Sequence, residues 1–333
     1  MMNFLESLKK GLFESFAEDD RVVLLGEDIV DPYGGAFKVS LGLSSLYPDR
    51  VLNTPISEAG FTGAAGGMAI RGLRPVVEIM FGDFLTLCTD QIVNHITKFA
   101  SMYPGVEVPL VIRTPMGGGR GYGATHSQTL EKMYLGVPGL KVVAPGLAHD
   151  PGKIVRTAVL KDSSPVLFIE NKALYSRELI AEKAGELTVK EIETSTGYPV
   201  AVVSNMEGSR PDVVVLAYGG ASLPLCEVME QFADEEISIK ALFPSLINEV
   251  DMELLLPELR GCGNIVICEE GSEGFNWGSE MAACIYEKMH RQLRNPILRV
   301  AAENTVIPCA KKLEDAVLLN ENKIEQAIME LLS

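Results

Sequence analysis

Short runs of unbroken apolar residues recur along this chain, each separated from the next by a segment with helical spacing. Phe4, Leu8, Leu12 and Phe16 fall every four residues, the spacing of one helix face, and Val22-Val23-Leu24-Leu25 follows as a strand with no polar side. A strand that is apolar on both faces must be covered on both, which a parallel sheet between two helical layers provides. Further strands are predicted at 75–80, 109–113, 141–144 and 165–170. Helices are predicted over 83–100 and 154–161, and the glycine and alanine residues of 60–69 predict a close approach by another backbone.

Beyond Asn171 the rhythm fades into a polar stretch interrupted by Gly197-Tyr198-Pro199 and Gly208-Ser209-Arg210-Pro211. A linker is placed at 181–210, between a first domain over 1–180 and a second over 211–333. The second domain repeats the pattern, with strands predicted at 212–218, 237–243, 264–269 and 296–300 and helices at 222–232, 252–259, 279–289 and 322–332. The expected fold class is α/β with two doubly wound domains, and 333 residues suit two such cores.

The 29 lysines and arginines against 45 aspartates and glutamates leave a net charge of −16, which argues against nucleic acid or an anionic membrane as partner. No apolar run approaches the ~20 residues of a membrane span, and the first ten residues lack the layout of a signal peptide, so a cytoplasmic protein is expected. The mean hydropathy is positive, as for a chain whose apolar surface is partly covered by an obligate partner. Cys88, Cys226, Cys262, Cys268, Cys284 and Cys309 form no C-x-x-C pair or zinc spacing and are expected to be reduced core residues.

The run from Gly117 to Gly123 follows a strand but fits no full G-x-G-x-x-G register, because Tyr122 stands where a third glycine is needed; only a weaker variant ending in Ala124 fits. It reads as a mobile loop or as a loop over a ligand site. His126 ends that loop, after a strand, where α/β folds place their sites. His95, His149 and His290 read as structural. Ser57-Glu58 reads equally as a helix start, with Glu58 against the helix dipole, and as a poorly solvated functional carboxylate. Glu78, within an apolar strand, requires a buried partner and reads as structural.

Several long stretches, in order, resemble the β subunits of 2-oxo-acid dehydrogenase E1 components, the family of the pyruvate, branched-chain and acetoin enzymes. They are Gly34-Gly35-Ala36-Phe37-Lys38-Val39-Ser40, Thr54-Pro55-Ile56-Ser57-Glu58-Ala59-Gly60-Phe61, Gly72-Leu73-Arg74-Pro75-Val76-Val77-Glu78, Asp90-Gln91-Ile92-Val93-Asn94, Val108-Pro109-Leu110-Val111-Ile112-Arg113-Thr114-Pro115, His126-Ser127-Gln128 and Pro138-Gly139-Leu140-Lys141-Val142-Val143-Ala144-Pro145. The resemblance implies a pyrimidine-binding, transketolase-like domain followed by a transketolase C-terminal domain, with thiamine diphosphate bound where the β subunit meets an α subunit. Glu58 is similar to the glutamate that exchanges a proton with N1′ of the aminopyrimidine and so helps to form the ylide. Phe84 is similar to the aromatic residue stacked on that ring, and His126 to the histidine that handles protons or orients the intermediate. Leu160, Asp162 and Ser164 lie in a stretch similar to one that holds a monovalent cation, K⁺, through backbone carbonyls.

The family's Mg²⁺ site is a Gly-Asp-Gly stretch, absent from this chain, where Gly82-Asp83 is followed by Phe84. The metal-binding half is therefore expected on the α subunit of an α2β2 heterotetramer, with a lipoyl-bearing E2 acyltransferase as a further partner. The C-terminal half departs from the family pattern at 241–246, at Ile307-Pro308-Cys309-Ala310 and at 270–278. Two rivals stand beside this reading. One is a split transketolase, with Arg113 and Arg120 as phosphate donors; the other is a noncatalytic scaffold, against which Glu58, Phe84 and His126 together count.

Overall fold

The capping box of Asn3 and Glu6 opens α1 (Phe4–Glu18), and Phe4, Leu8, Leu12 and Phe16 are at most 1% exposed on its inner face. In the computed structural model the described residues are 2–180 and 187–333. In the first sheet, β1 (Val22–Gly26), β2 (Val51–Asn53), β3 (Arg74–Glu78), β4 (Val111–Met116), β5 (Lys141–Val143) and β6 (Val166–Asn171) are ordered β2-β1-β3-β4-β6-β5. All its pairings are parallel. It is flanked by α1, the short α2 (Leu43–Leu46), α3 (Glu58–Ile70), α4 (Leu85–Asp90), α5 (Thr97–Met102) and α6 (Pro151–Arg156).

The helix predicted over 83–100 is split. Between α4 and α5 the coil of Gln91–Ile96 widens to π geometry, where the Thr97 hydroxyl donates back to Ile92 and Val93 carbonyls at 3.0 Å. A second π turn, Thr157–Lys161, follows α6. Side chains of the Gln91–Ile96 π segment, rather than another backbone, approach the glycines of α3: a Cβ on Gly63 would stand 2.8 Å from Gln91 Oε1, and one on Gly66 3.0 Å from Ile96.

The second sheet is ordered β12-β11-β9-β10-β8-β7, from β7 (Thr188–Ile192), β8 (Val200–Ser204), β9 (Val213–Ala217), β10 (Ile239–Pro244), β11 (Ile265–Ser272) and β12 (Leu298–Ala302). Its helices are α7 (Ser222–Asp234), α8 (Met252–Leu259), α9 (Trp277–Met289), α10 (Lys311–Val317) and α11 (Glu321–Leu332). The stretch 181–210, expected as a linker, instead contributes β7 and β8, an antiparallel edge paired onto β10; its residues 181–186 lie outside the described residues. The half-exposed edge strand β7 carries little apolar signal, whereas Val200-Ala201-Val202-Val203 had the apolar run of a buried strand.

The two sheets meet at their backbones. Ala144 N–H donates to Ser245 O at 2.8 Å and Ile247 N–H to Val142 O at 2.9 Å. His149 bridges the same seam, accepting from Gly146 N–H at 3.0 Å and meeting Phe243 O at 3.1 Å, and burial lowers its pKa to about 4. Its structural reading holds. Cys88, Cys226, Cys262 and Cys268 are buried as expected, but Cys284 is only half-buried and Cys309 is exposed.

Candidate active site

Parallel strands direct their carboxyl ends to one edge of a sheet, and the loops leaving that edge form the crevice in which α/β folds bind ligands. Glu27 and Asp28 follow β1, Glu58 begins the helix after β2, Phe81, Asp83 and Phe84 follow β3, the loop from Gly117 to Gln128 follows β4, and Lys172 follows β6. The sheet topology thus gathers residues scattered over more than a hundred positions along the chain.

Glu58 is 6% exposed in the first turn of α3, where the free amides of a helix start favour a carboxylate. Beside it, Glu27 is raised above the usual carboxylate range by burial first, then by the charges of Glu58 and Asp28. Glu27 Oε1 is buried with no hydrogen-bond partner among the described residues. Cys88, on α4, is pushed up to about 12, mainly by burial and in part by the Glu58 carboxylate. Glu58 therefore faces a second acid and the helix that leaves Phe84.

Phe84 and His126 are brought together, their ring centroids 5.3 Å apart and edge to face. Phe81 lies between them and the loop, 4.8 Å from the His126 ring, 5.8 Å from Phe84 and 6.0 Å from Tyr122, all edge to face. His126 also has Thr125 Oγ1 at 3.0 Å from Nδ1. Lys172 is fully buried beneath this cluster. Its ammonium donates to His126 O at 2.6 Å and lies over the Phe81 and Tyr122 rings at 5.2 and 5.7 Å. The loop is tied further by Gln128, whose amide nitrogen donates to Asp83 Oδ1 at 2.8 Å, while the buried Ser127 Oγ has no partner among the described residues.

Glu78 has the partner its burial demanded. The Arg113 guanidinium donates to Glu78 and, through two bonds of 2.6 Å, to Glu170, which also accepts from the Tyr175 hydroxyl at 2.6 Å. Arg113 is 2% exposed and fully engaged, and Arg120 Nη2 is bound to Lys172 O at 2.7 Å. Arg113 is therefore not free to bind a phosphate, whereas Arg120 is exposed.

Leu160, Asp162 and Ser164 lie at the opposite edge, before β6 begins, and do not join the other candidates. Of the three carbonyls expected to hold the monovalent cation, that of Asp162 is already taken. The Arg74 guanidinium, 8% exposed, already donates to the carbonyls of Val159 and Asp162, the latter at 2.5 Å. The Asp162 carboxylate is separately engaged by Lys141 at 2.8 Å and by the Tyr198 hydroxyl at 2.9 Å.

Glu27, Phe81, Tyr122 and Lys172 were not singled out from the sequence. An acidic pair just after an unbroken apolar strand, Glu27-Asp28, was a usable signal for the first. For Lys172 there was none, since its partner His126 is 46 residues away.

Residues 1–178 match the transketolase pyrimidine-binding domain and residues 203–324 the transketolase C-terminal domain. The chain is 35% identical over 318 residues to the mitochondrial pyruvate dehydrogenase E1 component subunit beta-1 of Oryza sativa subsp. japonica, covering 94% of this chain and 82% of that protein. It is 33% identical to the pyruvate dehydrogenase E1 component subunit beta of Leifsonia xyli subsp. xyli, covering 97% of this chain and 93% of that protein. It is 30% identical to the acetoin:2,6-dichlorophenolindophenol oxidoreductase subunit beta of Bacillus subtilis, covering 100% and 97%. Among solved structures, a split-gene transketolase described as an inactive beta4 tetramer superimposes with a TM-score of 0.73 over 99% of this chain and 98% of that one, at 22% identity, a likeness of fold alone. With both domain models in sequence order and these relatives over nearly its full length, the chain belongs to the transketolase-like family of 2-oxo-acid dehydrogenase E1 component β subunits.

Proposed function

We propose that this chain is the β half of a shared active site which, with an α subunit in an α2β2 heterotetramer, decarboxylates a 2-oxo acid on thiamine diphosphate. The acyl group passes to the lipoyl arm of an E2 acyltransferase, in the cytoplasm. The observation that carries this reading is Glu58, buried in the first turn of a helix at the carboxyl edge of a parallel sheet. That edge also carries the Phe84–His126 pair.

The residues suit the cofactor. Glu58 suits the sharing of a proton with the ring nitrogen of an aminopyrimidine, and the neighbouring Glu27 is raised by burial and by that charge. Phe84 offers a flat face to the ring, worth about 1 kcal/mol beyond its buried area. Thiamine diphosphate, when bound, would supply a nucleophilic carbon and an electron sink for decarboxylation. His126, held by its backbone carbonyl, orients its imidazole at the mouth of the site, where it can give or take a proton during acyl transfer. Mg²⁺ and the diphosphate belong to the α subunit, because this chain has no Gly-Asp-Gly.

The split-transketolase reading is disfavoured by the engagement of Arg113, one of its two proposed phosphate donors. Native mass spectrometry of the complex purified through a tag on this chain, with 2-oxo-acid decarboxylation assayed with and without thiamine diphosphate, tests the proposal. Two copies each of this chain and a second, with cofactor-dependent turnover, support it. This chain alone, or a complex that binds no thiamine diphosphate, overturns it in favour of a scaffold.

A further inference from the structure

The glycine loop after β4 is gripped from the other domain. Gly117, Gly119, Gly121 and Gly123 all have positive φ, between 70° and 95°, which side chains other than glycine adopt only with strain. Alternating left-handed residues turn successive amides toward one side and create a concave anion-binding nest. The anion in this nest is Glu314 of α10: Gly119 N–H donates to its Oε1 and Gly121 N–H to its Oε2, each at 2.9 Å. Glu314 is 0% exposed. Leu318, one turn on, closes over Gly118, where a Cβ would stand 2.6 Å from its Cδ1.

The nest is filled by the chain's own carboxylate. Behind the loop lies a cavity of about 450 Å³ lined by Gly118, Gly119, Ser127, Glu270 and Leu318 among others, so this face of the loop is not backed by a packed core. Besides the Gln128 and Arg120 contacts, the loop is pinned at Gly119 and Gly121 by Glu314 and at His126 O by Lys172. Between the pins sits Tyr122, edge to face with Phe81.

We propose that Glu314 is a positioning residue of the active site, a clamp by which the C-terminal domain holds the loop carrying Tyr122 and His126 in its substrate-binding conformation. It touches no substrate. Without it the loop samples other conformations, and substrate must restore the order on binding, so apparent affinity falls by the fraction of time the loop is displaced. The proposal rests on the functional reading above for the role of His126, but the clamp itself can be tested without activity.

The experiment uses the assembled complex with Glu314→Ala and Glu314→Gln, read by amide hydrogen exchange and by steady-state kinetics with the 2-oxo acid. The alanine variant is expected to raise exchange in 117–124 by about tenfold, with 166–171 unchanged, and to raise KM by about tenfold with a smaller fall in kcat. The glutamine variant keeps one acceptor oxygen and the side-chain volume, and should fall between alanine and wild type in both readouts. Unchanged exchange in 117–124, a general rise across both domains, or an unchanged KM overturns the clamp. If the wild-type complex turns over no 2-oxo acid, the functional reading fails instead, and exchange in 117–124 alone decides whether Glu314 holds the loop.

Discussion

The ammonium of Lys172 donates to the carbonyl oxygen of His126 at 2.6 Å from a position with no solvent exposure. Burial lowers this lysine from 10.5 to about 8, against the upward pull of Asp83 and Glu270. Between pH 8 and 10.5 the folded chain thus binds fewer protons here than the unfolded chain, so this group adds stability as pH rises through that window. Lys172→Met should remove that rise in urea-unfolding free energy and, by releasing the His126 backbone, lower kcat about tenfold or more. Equal pH slopes in variant and wild type would show that Lys172 titrates normally.

Glu58→Gln removes the exchangeable proton and keeps the shape. Turnover by the assembled complex should fall by about 10²-fold or more while the α2β2 mass and the bound cofactor persist in native mass spectrometry. Residual activity near the wild-type level would move the proton to another residue.

Arg113→Met leaves the buried carboxylates of Glu78 and Glu170 without their shared cation. A destabilisation of about 3–5 kcal/mol is expected in urea unfolding, because an unpaired buried charge costs more than the pair contributes. The triple variant with Glu78→Gln and Glu170→Gln should recover most of it. If the triple variant is no better than Arg113→Met, the loss lies in packing.

Glu269 and Glu270 are both raised to about 7, by burial first and then by the Glu131 carboxylate. A folded value above the unfolded 4.5 means that the folded state holds the extra proton, so this contribution is present at acid pH and is lost as pH rises toward 7. Urea titrations from pH 5 to pH 8 should show Glu269→Gln gaining on wild type as pH rises, by up to about 1.4 kcal/mol per pH unit. Parallel curves would mean that Glu269 is solvated in the folded protein.

Arg74 donates to the carbonyl of Asp162, one of the three expected to hold a monovalent cation, and to that of Val159. The melting temperature of the complex should be the same in potassium and in tetramethylammonium chloride at equal ionic strength. A rise confined to potassium would show that K⁺ binds beside Arg74.

Much of this was legible along the chain, because it depends on near neighbours. Helix spacing from Phe4 to Phe16 and apolar runs such as Val22 to Leu25 are local patterns, and they led to the α/β class and the two domains. The family resemblance carried Glu58, Phe84 and His126 as candidates. What sequence could not supply is which distant groups close on one another. Glu314 reaches Gly119 across 195 residues, Arg113 joins Glu78 to Glu170, Arg74 takes the Asp162 carbonyl, one of those expected for a cation, and β7 pairs as an edge strand with little apolar signal of its own. Local periodicity sets which elements form; only the closed topology, which brings their ends into one dry space, decides which charges and carbonyls must satisfy one another.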